Sequence, residues 1–569
     1  MKTRQAHASI ILLNYTDRGG SAGLSPAKVV TTTEPILLDK DIISISTTKQ
    51  KSAPAGRFEF SLAPTKNWIA HITPGSWVII HMAPRKITQD DINSSNQETL
   101  KMIGRIDSVR VSVQVDPSTG ARSTLYRVQG RDWGQVFESS MYIDPAAFAA
   151  SDSPFVITNG LMSDLLIDTN ANKKEGQGTF STTNLVDFVI KVFAGQGLEE
   201  RRKVVAGLPG ANQFLPQYVY KVPDFLKKYM NMSRDGSLTN SIEIVAGKLT
   251  GYDKYTDEKE TIGIPLYPLF IGNNMLWQLI NEHSCSVINE NIAELRWIDG
   301  KPKFCLYKRV KPFIIDSPGA GSLSNARAGV EALSKGGSSS KIQSSFFNVK
   351  RTSIDLMDVI TLEMGNNWQD SANFVEIMPD ASLISLPSDT SPLVKSLPAL
   401  KGQSNVASEV SWARDGFRPL MYSTKFFPTD SQGTIDIFGQ TKWLPTMAKW
   451  YFDTHKMLNG TVTMIGQDKY IGVGDNIMLP AATAGSTNYV TKQENPDSNI
   501  LGHIEAITNT FTVQSNGARS FITTVNFIRG IIVNNTGNAV VDPQSYGIDT
   551  FSSSMSEADK KHTNVTGDE

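Results

Sequence analysis

Apolar and polar residues alternate with a period of two along much of the first 150 residues, as is typical of half-buried β-strands. In Arg57–Leu62, Phe58, Phe60 and Leu62 share one face and polar residues share the other. A turn at Pro74-Gly75 comes directly before the apolar run Trp77–Ile80. These patterns predict two strands separated by a turn.

The longest alternating segment follows. Every second residue from Val109 to Val115 is valine, and the segment ends at a turn, Asp116–Gly120, that contains both Pro and Gly. The alternation resumes with Tyr126 and Val128. We predict a long hairpin with one buried, valine-lined face.

The pattern changes after residue 150. Apolar residues spaced i, i+3, i+4, i+7 predict a helix from Asn184 to Gly195. Farther on, Asp299-Gly300 predicts a turn between two strands. We predict a mainly β protein of α+β type: a first tube-like β-barrel domain (1–150), an inserted helix-and-loop domain (151–265), a small α+β domain with a flexible linker (266–345), a second tube-like β-barrel domain (346–530) with a loop-rich stretch at 379–407, and a C-terminal tail (531–569).

The chain also resembles itself. PGSWVII, GRIDSV and GARSTLYRVQGRD in the first domain are followed, in the same order, by VGDNIML, GHIEAI and GARSFITTVNFIRG near the end. Two unrelated hairpins could share one such block, but three blocks at spacings that agree within one residue favour a duplication. The glycines mark positions where a strand bends or two backbones approach closely. The matched positions are Gly75 with Gly474, Gly104 with Gly502, Gly120 with Gly517, and Arg131 with Arg529.

The composition narrows the range of possible functions. With 55 basic and 56 acidic residues, the chain has no global electrostatic attraction to nucleic acid or to an anionic membrane. Its two cysteines, Cys285 and Cys305, are too few for a disulfide framework and are predicted to be buried thiols. The apolar run Ala8–Leu13 is shorter than a signal-peptide core, and no stretch approaches the ~18 apolar residues of a membrane span. We therefore expect a protein made and kept in a reducing cytosol.

Motifs for catalysis or ligand binding are weak. Gly19–Gly23 matches G-x-S-x-G but lacks the flanking strand and helix of a nucleophile elbow, so a surface loop is the favoured interpretation. The seven histidines form no HxxxH or HExxH motif, and no phosphate-binding glycine loop occurs. Carboxylates are numerous, but sequence spacing cannot establish a glycosidase pair. We expect no catalytic residue, cofactor or metal.

Four further blocks follow one another along most of the chain, from about residue 55 to residue 530. The blocks are Gly104–Val109 with Val128–Trp133; Leu276-Trp277, Ile288–Glu290, Asp299–Pro302 and Lys311–Phe313; Asp415–Leu420; and Leu458–Thr461, Val473–Asp475 and Ile528–Gly530. Their motif residues are Asp132, Asn289, Glu290, Asp299, Gly300, Arg418 and Asp475. Together the blocks resemble the central hub proteins of contractile (myovirus-type) phage-tail baseplates, which are related to the hubs of phage-like secretion systems. The segments 197–262 and 379–407 have no counterpart in that resemblance.

The resemblance implies a non-enzymatic homotrimer whose two similar β-barrels per chain form a pseudo-sixfold ring in the virion, assembled in the host cytoplasm. Such a ring joins the sixfold tail tube, or its initiator protein, to the threefold central spike, with baseplate wedge proteins outside. No lysozyme-like segment is recognisable, so lytic activity is expected to reside in a partner. Two alternatives stay open: another trimeric tail component, and a cell-wall hydrolase with β-rich modules.

Overall fold

A computed structural model of the chain confirms that it is mainly β, with large antiparallel sheets. The structure describes residues 5–16, 31–32, 35–93, 96–115, 122–138, 140–141, 179–181, 222–232, 242–246, 261–265, 274–275, 277–278, 281, 289–298, 300–310, 350–365, 372–379, 405–407, 416–424, 427–429, 458–480 and 499–533.

Seven strands form the first module, in the order β3-β4-β7-β6-β5-β1-β2, and every neighbouring pair is antiparallel. Their apolar side chains, with Trp68 of helix α1 (Trp68–His71), enclose one core. A second helix, α2, spans Gln89–Asn93. The strands are β1 (His7–Leu13), β2 (Ile36–Leu38), β3 (Ile42–Gln50), β4 (Arg57–Leu62), β5 (Trp77–Ala83), β6 (Leu100–Val115) and β7 (Arg122–Asp132).

The strand predictions for this module are confirmed. Phe58, Phe60 and Leu62 are buried on β4, and the apolar run Ala8–Leu13 is a buried part of β1. Strand β5 is buried at all seven residues because it is covered on both faces, so it lacks a period-two pattern.

The middle of the chain contributes a smaller sheet. Strands β9 (Asn289–Ile298) and β10 (Lys301–Val310) form the predicted hairpin, and Gly300 adopts φ +72° in its turn. Strand β8 (Ile242–Ala246) pairs in parallel with β10 and follows helix α3 (Asp224–Met230). The predicted domain boundary near residue 265 lies between β8 and β10 along the chain, although these two strands are neighbours in one sheet. Cys305 on β10 is a buried free thiol, while Cys285 lies outside the described residues.

Six strands form the second module, in the order β12-β13-β16-β15-β14-β11. Their buried residues form a second core, against which Val359, Leu362 and Met364 of β12 pack while partly exposed. The strands are β11 (Arg351–Ser353), β12 (Val359–Gly365), β13 (Leu458–Ile465), β14 (Asn476–Pro480), β15 (Asn499–Val513) and β16 (Arg519–Val533).

The two modules have the same strand order. Strands β3, β4, β7, β6 and β5 of the first correspond to β12, β13, β16, β15 and β14 of the second. A β-bulge lies between Ile106 and Ser108 on β6, and another lies at the matching place between Ile504 and Ala506 on β15. The strands next to this shared set differ, because β1 is antiparallel to β5 whereas β11 is parallel to β14. Within the described residues no ladder closes either sheet into a complete barrel.

Four short sheets complete the described structure: Tyr15–Thr16 with Thr31–Thr32; Ser140–Met141 with Asn274–Met275; Thr179–Ser181 with Thr261–Pro265 and Phe427–Thr429; and Phe374–Pro379 with Asn405–Ala407 and Pro419–Thr424. The predicted helix at 184–195, the 316–342 linker, the C-terminal tail from residue 534 and the turn glycine Gly120 lie outside the described residues.

Candidate functional site

The two modules are joined edge to edge by one antiparallel ladder. Residues 506–512 of β15 pair with residues 50–44 of β3, so that Phe511 lies opposite Ile45. The ladder is extended by the Lys51 N–H, which donates to the Glu505 carbonyl at 2.7 Å. Both modules therefore belong to one continuous sheet.

The joint also shares a core. Phe511 and Phe521 belong to the hairpin of the second module, yet they pack among the buried residues of the first module, with 2% and 4% of their surface exposed. Burying two phenylalanines contributes several kcal/mol, at about 1.5–3 kcal/mol for each. The second module therefore completes the core of the first.

A buried ion pair lies beside this ladder. Lys49 of β3 donates to Asp132, at the end of β7, at 2.6 Å and to the Pro54 carbonyl at 2.6 Å. Asp132 also accepts from the Gly134 N–H at 2.8 Å. Burial raises the pKa of Asp132, and the charge of Lys49 opposes that rise.

Lys51, which comes directly after the last residue of β3, connects three units. Lys51 lies 3.2 Å from Glu290 of β9 and 3.0 Å from Glu505 of β15. Glu290 is in turn 3.1 Å from Nε2 of His503, whose Nδ1 lies 3.0 Å from Asn476. The first module, the β9–β10 hairpin and the second module thus meet at one buried polar cluster.

A second buried ion pair fixes the hairpin to the second module. Arg296 of β9 donates to both carboxylate oxygens of Asp475 at 2.6 Å, and to the Val473 carbonyl at 3.1 Å. Burial lowers the pKa of Arg296, but the charges of Asp475 and Glu294 outweigh it, so the net shift is upward. Glu294 accepts from the Tyr470 hydroxyl and from the Val473 N–H.

Lys101 of β6 makes a third connection. Its ammonium donates to the carbonyls of Glu98, Gln467 and Lys469, and the last two belong to the second module. Burial lowers the pKa of Lys101 to about 7. Beside it lies a cavity of about 30 Å³ lined by Lys49, Asp132 and Glu294, among others. That volume suits one or two water molecules and no larger ligand.

Three of the motif residues from the sequence meet in this region: Asp132, Glu290 and Asp475 are all buried and ion-paired. Asn289 begins β9, Gly300 is in the β9–β10 turn, and Asp299 lies outside the described residues. Arg418 lies elsewhere, where its N–H donates to Asn373 at 2.8 Å. The cations of these pairs, Lys49, Lys51 and Arg296, were missed. Arg296 lies among apolar residues of β9, which is a signal for a buried partner, whereas Lys49 and Lys51 lie in a polar run and give no such signal.

The repeat glycines occupy equivalent places. Gly75 and Gly474 both have positive φ, at +87° and +76°. The Gly75 N–H donates to the Ile106 carbonyl at 2.7 Å, and the Gly474 N–H donates to the Ile504 carbonyl at 2.9 Å. A Cβ on Gly104 would lie 2.8 Å from Phe58, and one on Gly502 would lie 2.4 Å from Phe527, so both glycines allow a close approach to an aromatic ring. Gly517 has φ +80° in the second hairpin turn.

The match of Arg131 with Arg529 shifts by one residue in the ladder. Arg131 lies opposite Arg105 in the first hairpin. His503 is the equivalent of Arg105 in the second hairpin, and the residue opposite it is Ile528 instead of Arg529. Arg529 has φ +55°, its side chain is buried, and its N–H donates to Asn459. The second hairpin has a shorter turn and an additional bulge here, and sequence spacing cannot reveal such a compensation.

The predicted buried valine face of the first hairpin is wrong for this chain by itself. Val111, Val113 and Val115 are exposed by 43%, 58% and 54%. Among the described residues β5 pairs only with the first part of β6, up to Arg105, and no strand pairs with the outer edge of residues 108–115. Strand β12 is likewise paired on one side only, with β13. The outer half of β6 and strand β12 are therefore open edges of the described sheet, as are β2 and β11, which each pair on one side only.

The arrangement offers little for catalysis. Among the described residues no three His, Cys, Asp or Glu side chains are grouped as metal ligands, and no helix is long and apolar enough to cross a membrane. An open depression of about 430 Å³ contains Asp107 and Glu138, but Arg131 donates to both carboxylates. These groups are already engaged in ion pairs, so the joint and the open edges are the stronger candidates for function.

No protein-family model matches the chain, and the search of curated proteins gave no match. Among solved structures, the 43 kDa tail protein of prophage MuSo2 from Shewanella oneidensis aligns with a TM-score of 0.40 at 9% identity, over 93% of this chain and 99% of that one. The tail protein from Neisseria meningitidis MC58 aligns with a TM-score of 0.37 at 8% identity, over 92% and 96%. Similarities this weak decide neither the fold nor the role of this chain.

Proposed function

We propose that this chain is a structural phage-tail protein, the central hub of a contractile baseplate, which acts as a homotrimer. Its two modules per chain would alternate around a pseudo-sixfold ring that joins the tail tube to the central spike. The observation that carries this proposal is the β3–β15 joint, in which two modules of the same strand order are linked head to tail into one sheet.

The physical reason is symmetry. A contact between two different edges of like modules is heterologous, and repeated heterologous contacts either close into a ring or continue as a filament. Three chains with two like modules each supply six similar units, which suits a junction between threefold and sixfold partners. Closure also removes open sheet edges, which are otherwise sites of unspecific pairing.

The buried charges support a rigid adaptor. Lys51 and Arg296 each join two units, and each is held by a carboxylate of the other unit within 3.2 Å. Such pairs need defined geometry to offset the cost of removing charge from water, so they fix the relative orientation of the units. A hub that transmits force between tube and spike requires that fixed orientation.

Light scattering of the purified chain, followed by electron microscopy of the particles, tests the proposal. We expect a mass of three chains and a ring with six similar lobes. A chain that is monomeric both alone and within a tail, or one found away from the tail axis, would overturn it. Clearance of peptidoglycan by the purified protein, lost on replacing one carboxylate, would favour the cell-wall hydrolase instead.

A further inference from the structure

The open edge of β6 carries an apolar row that the free chain leaves in water. Val111, Val113 and Val115 project from the same face of one strand, and together they form a continuous exposed stripe. A second open edge, β12, carries Ile360, which is 53% exposed, and Met357, two residues before the strand, is 80% exposed. Exposed apolar stripes on unpaired strand edges mark sites for pairing with another chain.

The internal joint identifies the partner edge. Strand β15, which corresponds to β6, pairs through its outer half with β3. Strand β3 of the first module corresponds to β12 of the second. We infer that the outer half of β6 pairs with β12 of a second copy of this chain, in the antiparallel register of the β15–β3 joint. This inference rests on the proposed ring and assigns the contact between its chains.

The register between the two chains follows from comparing one row of four paired residues, each on a neighbouring strand, in each module. In the first module Ile45 pairs with Phe60, Phe60 with Val128, and Val128 with Val109. In the second module the corresponding row is Leu362, Val462, Val525 and Ile507.

A shared bulge supports this match. It lies between Ile42 and Ser44 on β3, and between Val359 and Thr361 at the equivalent place on β12. Ile45 therefore corresponds to Leu362, and Phe511 corresponds to Val113. Because Phe511 lies opposite Ile45, Val113 of one chain is placed opposite Leu362 of the next.

The chemistry of this register is consistent along the strand. Val111 falls opposite Met364 and Val113 opposite Leu362, so apolar residues meet on one face. Ser112 falls opposite Glu363 on the other face. A slip of one residue would place Val113 opposite Glu363 and reverse the faces, which sheet pairing strongly disfavours. The face of β12 with Leu362 and Met364 packs against the core of the second module while still partly exposed.

The valines would therefore cover the core of the neighbouring chain, as Phe511 covers the first-module core within one chain. The length of the open part of β6 agrees with this arrangement. Among the described residues, the seven positions 108–114 have no partner on the outer side of β6, and they correspond to residues 506–512, which pair with β3 in the internal joint. Residues 110–114 would then lie opposite residues 361–365 of β12.

Cross-linking between two differently tagged chains tests the pairing. One chain carries Val113→Cys and the other Leu362→Cys, and the mixture is oxidised after assembly. We expect a covalent dimer of the two tags, and at least ten times less product when Glu363→Cys replaces Leu362→Cys. Chains without new cysteines measure the background from Cys285 and Cys305. A single chain carrying both Val113→Cys and Leu362→Cys should give a closed covalent trimer.

Val113→Asp provides a second measurement. It should convert the trimer to a monomer while leaving the unfolding midpoint of the monomer unchanged. Met421→Asp, at a 62% exposed residue in the separate sheet formed by Phe374–Pro379, Asn405–Ala407 and Pro419–Thr424, is the matched control and should leave the trimer intact.

The outcomes separate the two proposals. A trimer that resists Val113→Asp and gives no 113–362 product would overturn this interface and leave the hub proposal standing. A chain that is monomeric both alone and within a tail would overturn the hub proposal and this interface with it. Covalent products longer than three chains would support the pairing and overturn the closed ring.

Discussion

The two long hairpins of this protein have the same construction and different surroundings. Both have a bulge directly after an isoleucine, and the second residue pair beyond the bulge is apolar in both: Val109 with Val128 in the first hairpin and Ile507 with Val525 in the second. On the second hairpin Phe511 is 2% exposed, whereas Val113 at the same place on the first is 58% exposed. Burial of a strand is therefore decided by what lies beside it, and the same sequence pattern can describe a covered joint or an open edge.

The largest expected effect comes from removing the Phe511 ring, which covers the first-module core. Phe511→Ala should lower the free energy of unfolding by about 3–5 kcal/mol, because it leaves a cavity in the first-module core. Hydrogen exchange of Ile42–Gln50, the strand that Phe511 covers, should become faster.

Phe527→Ala is the matched control for that change. Phe527 lies in the second core only, so its loss should cost a similar amount without affecting exchange on β3. Unchanged exchange of β3 in Phe511→Ala would mean that the joint does not depend on this ring.

The second-largest effect is expected at Asp475, whose carboxylate has no counterpart at the equivalent position of the first module. Asp475 occupies the place that Ser76 has in the first module, since the carbonyls of both accept from the isoleucine before the bulge. Asp475→Ser should cost about 3 kcal/mol, because it leaves Arg296 buried without its main partner. Chemical denaturation measures the loss.

The exposed pair of Asp107 with Arg131 is the comparison for this change. Asp107→Ser should cost no more than about 1 kcal/mol, since that ion pair is reached by solvent. Equal losses in the two variants would contradict the role assigned to burial.

The third effect depends on pH. Burial holds the pKa of Lys101 at about 7, below the value near 10.4 of an unfolded chain. Between pH 7 and 10 the unfolded state therefore binds a proton that the folded state has lost, and stability from this group rises with pH. The free energy of unfolding of the wild-type protein, compared with that of Lys101→Met, should increase by up to about 1.4 kcal/mol per pH unit in that range. Chemical denaturation of both proteins at pH 7, 8 and 9 measures this. A difference in free energy of unfolding that stays constant over these pH values would contradict the assignment.

The smallest effect is expected on the open edge. Val113→Ala should change the stability of the dissociated chain by no more than about 0.5 kcal/mol, because the side chain is mostly in water. Denaturation at a concentration where the chain is monomeric measures it. A loss above 1 kcal/mol would show that the valine is already packed in the free chain.

The sequence by itself determined the strand pattern, the hairpin turn at Gly300 and the order of the repeated blocks, because period-two alternation and turn residues act locally. It also pointed to Asp132, Glu290 and Asp475, though without their partners. Lys49, Lys51 and Arg296 lie far from those carboxylates along the chain, so only the folded structure shows the three ion pairs.

Tertiary structure alone decided which hairpin is covered. Alternation at Val111–Val115 predicts an apolar face, but a face is buried only where another strand or core reaches it. The β3–β15 ladder supplies that cover to the second hairpin, and within one described chain nothing supplies it to the first. Local pattern determines which side of a strand is apolar, and long-range pairing determines whether water is excluded from it.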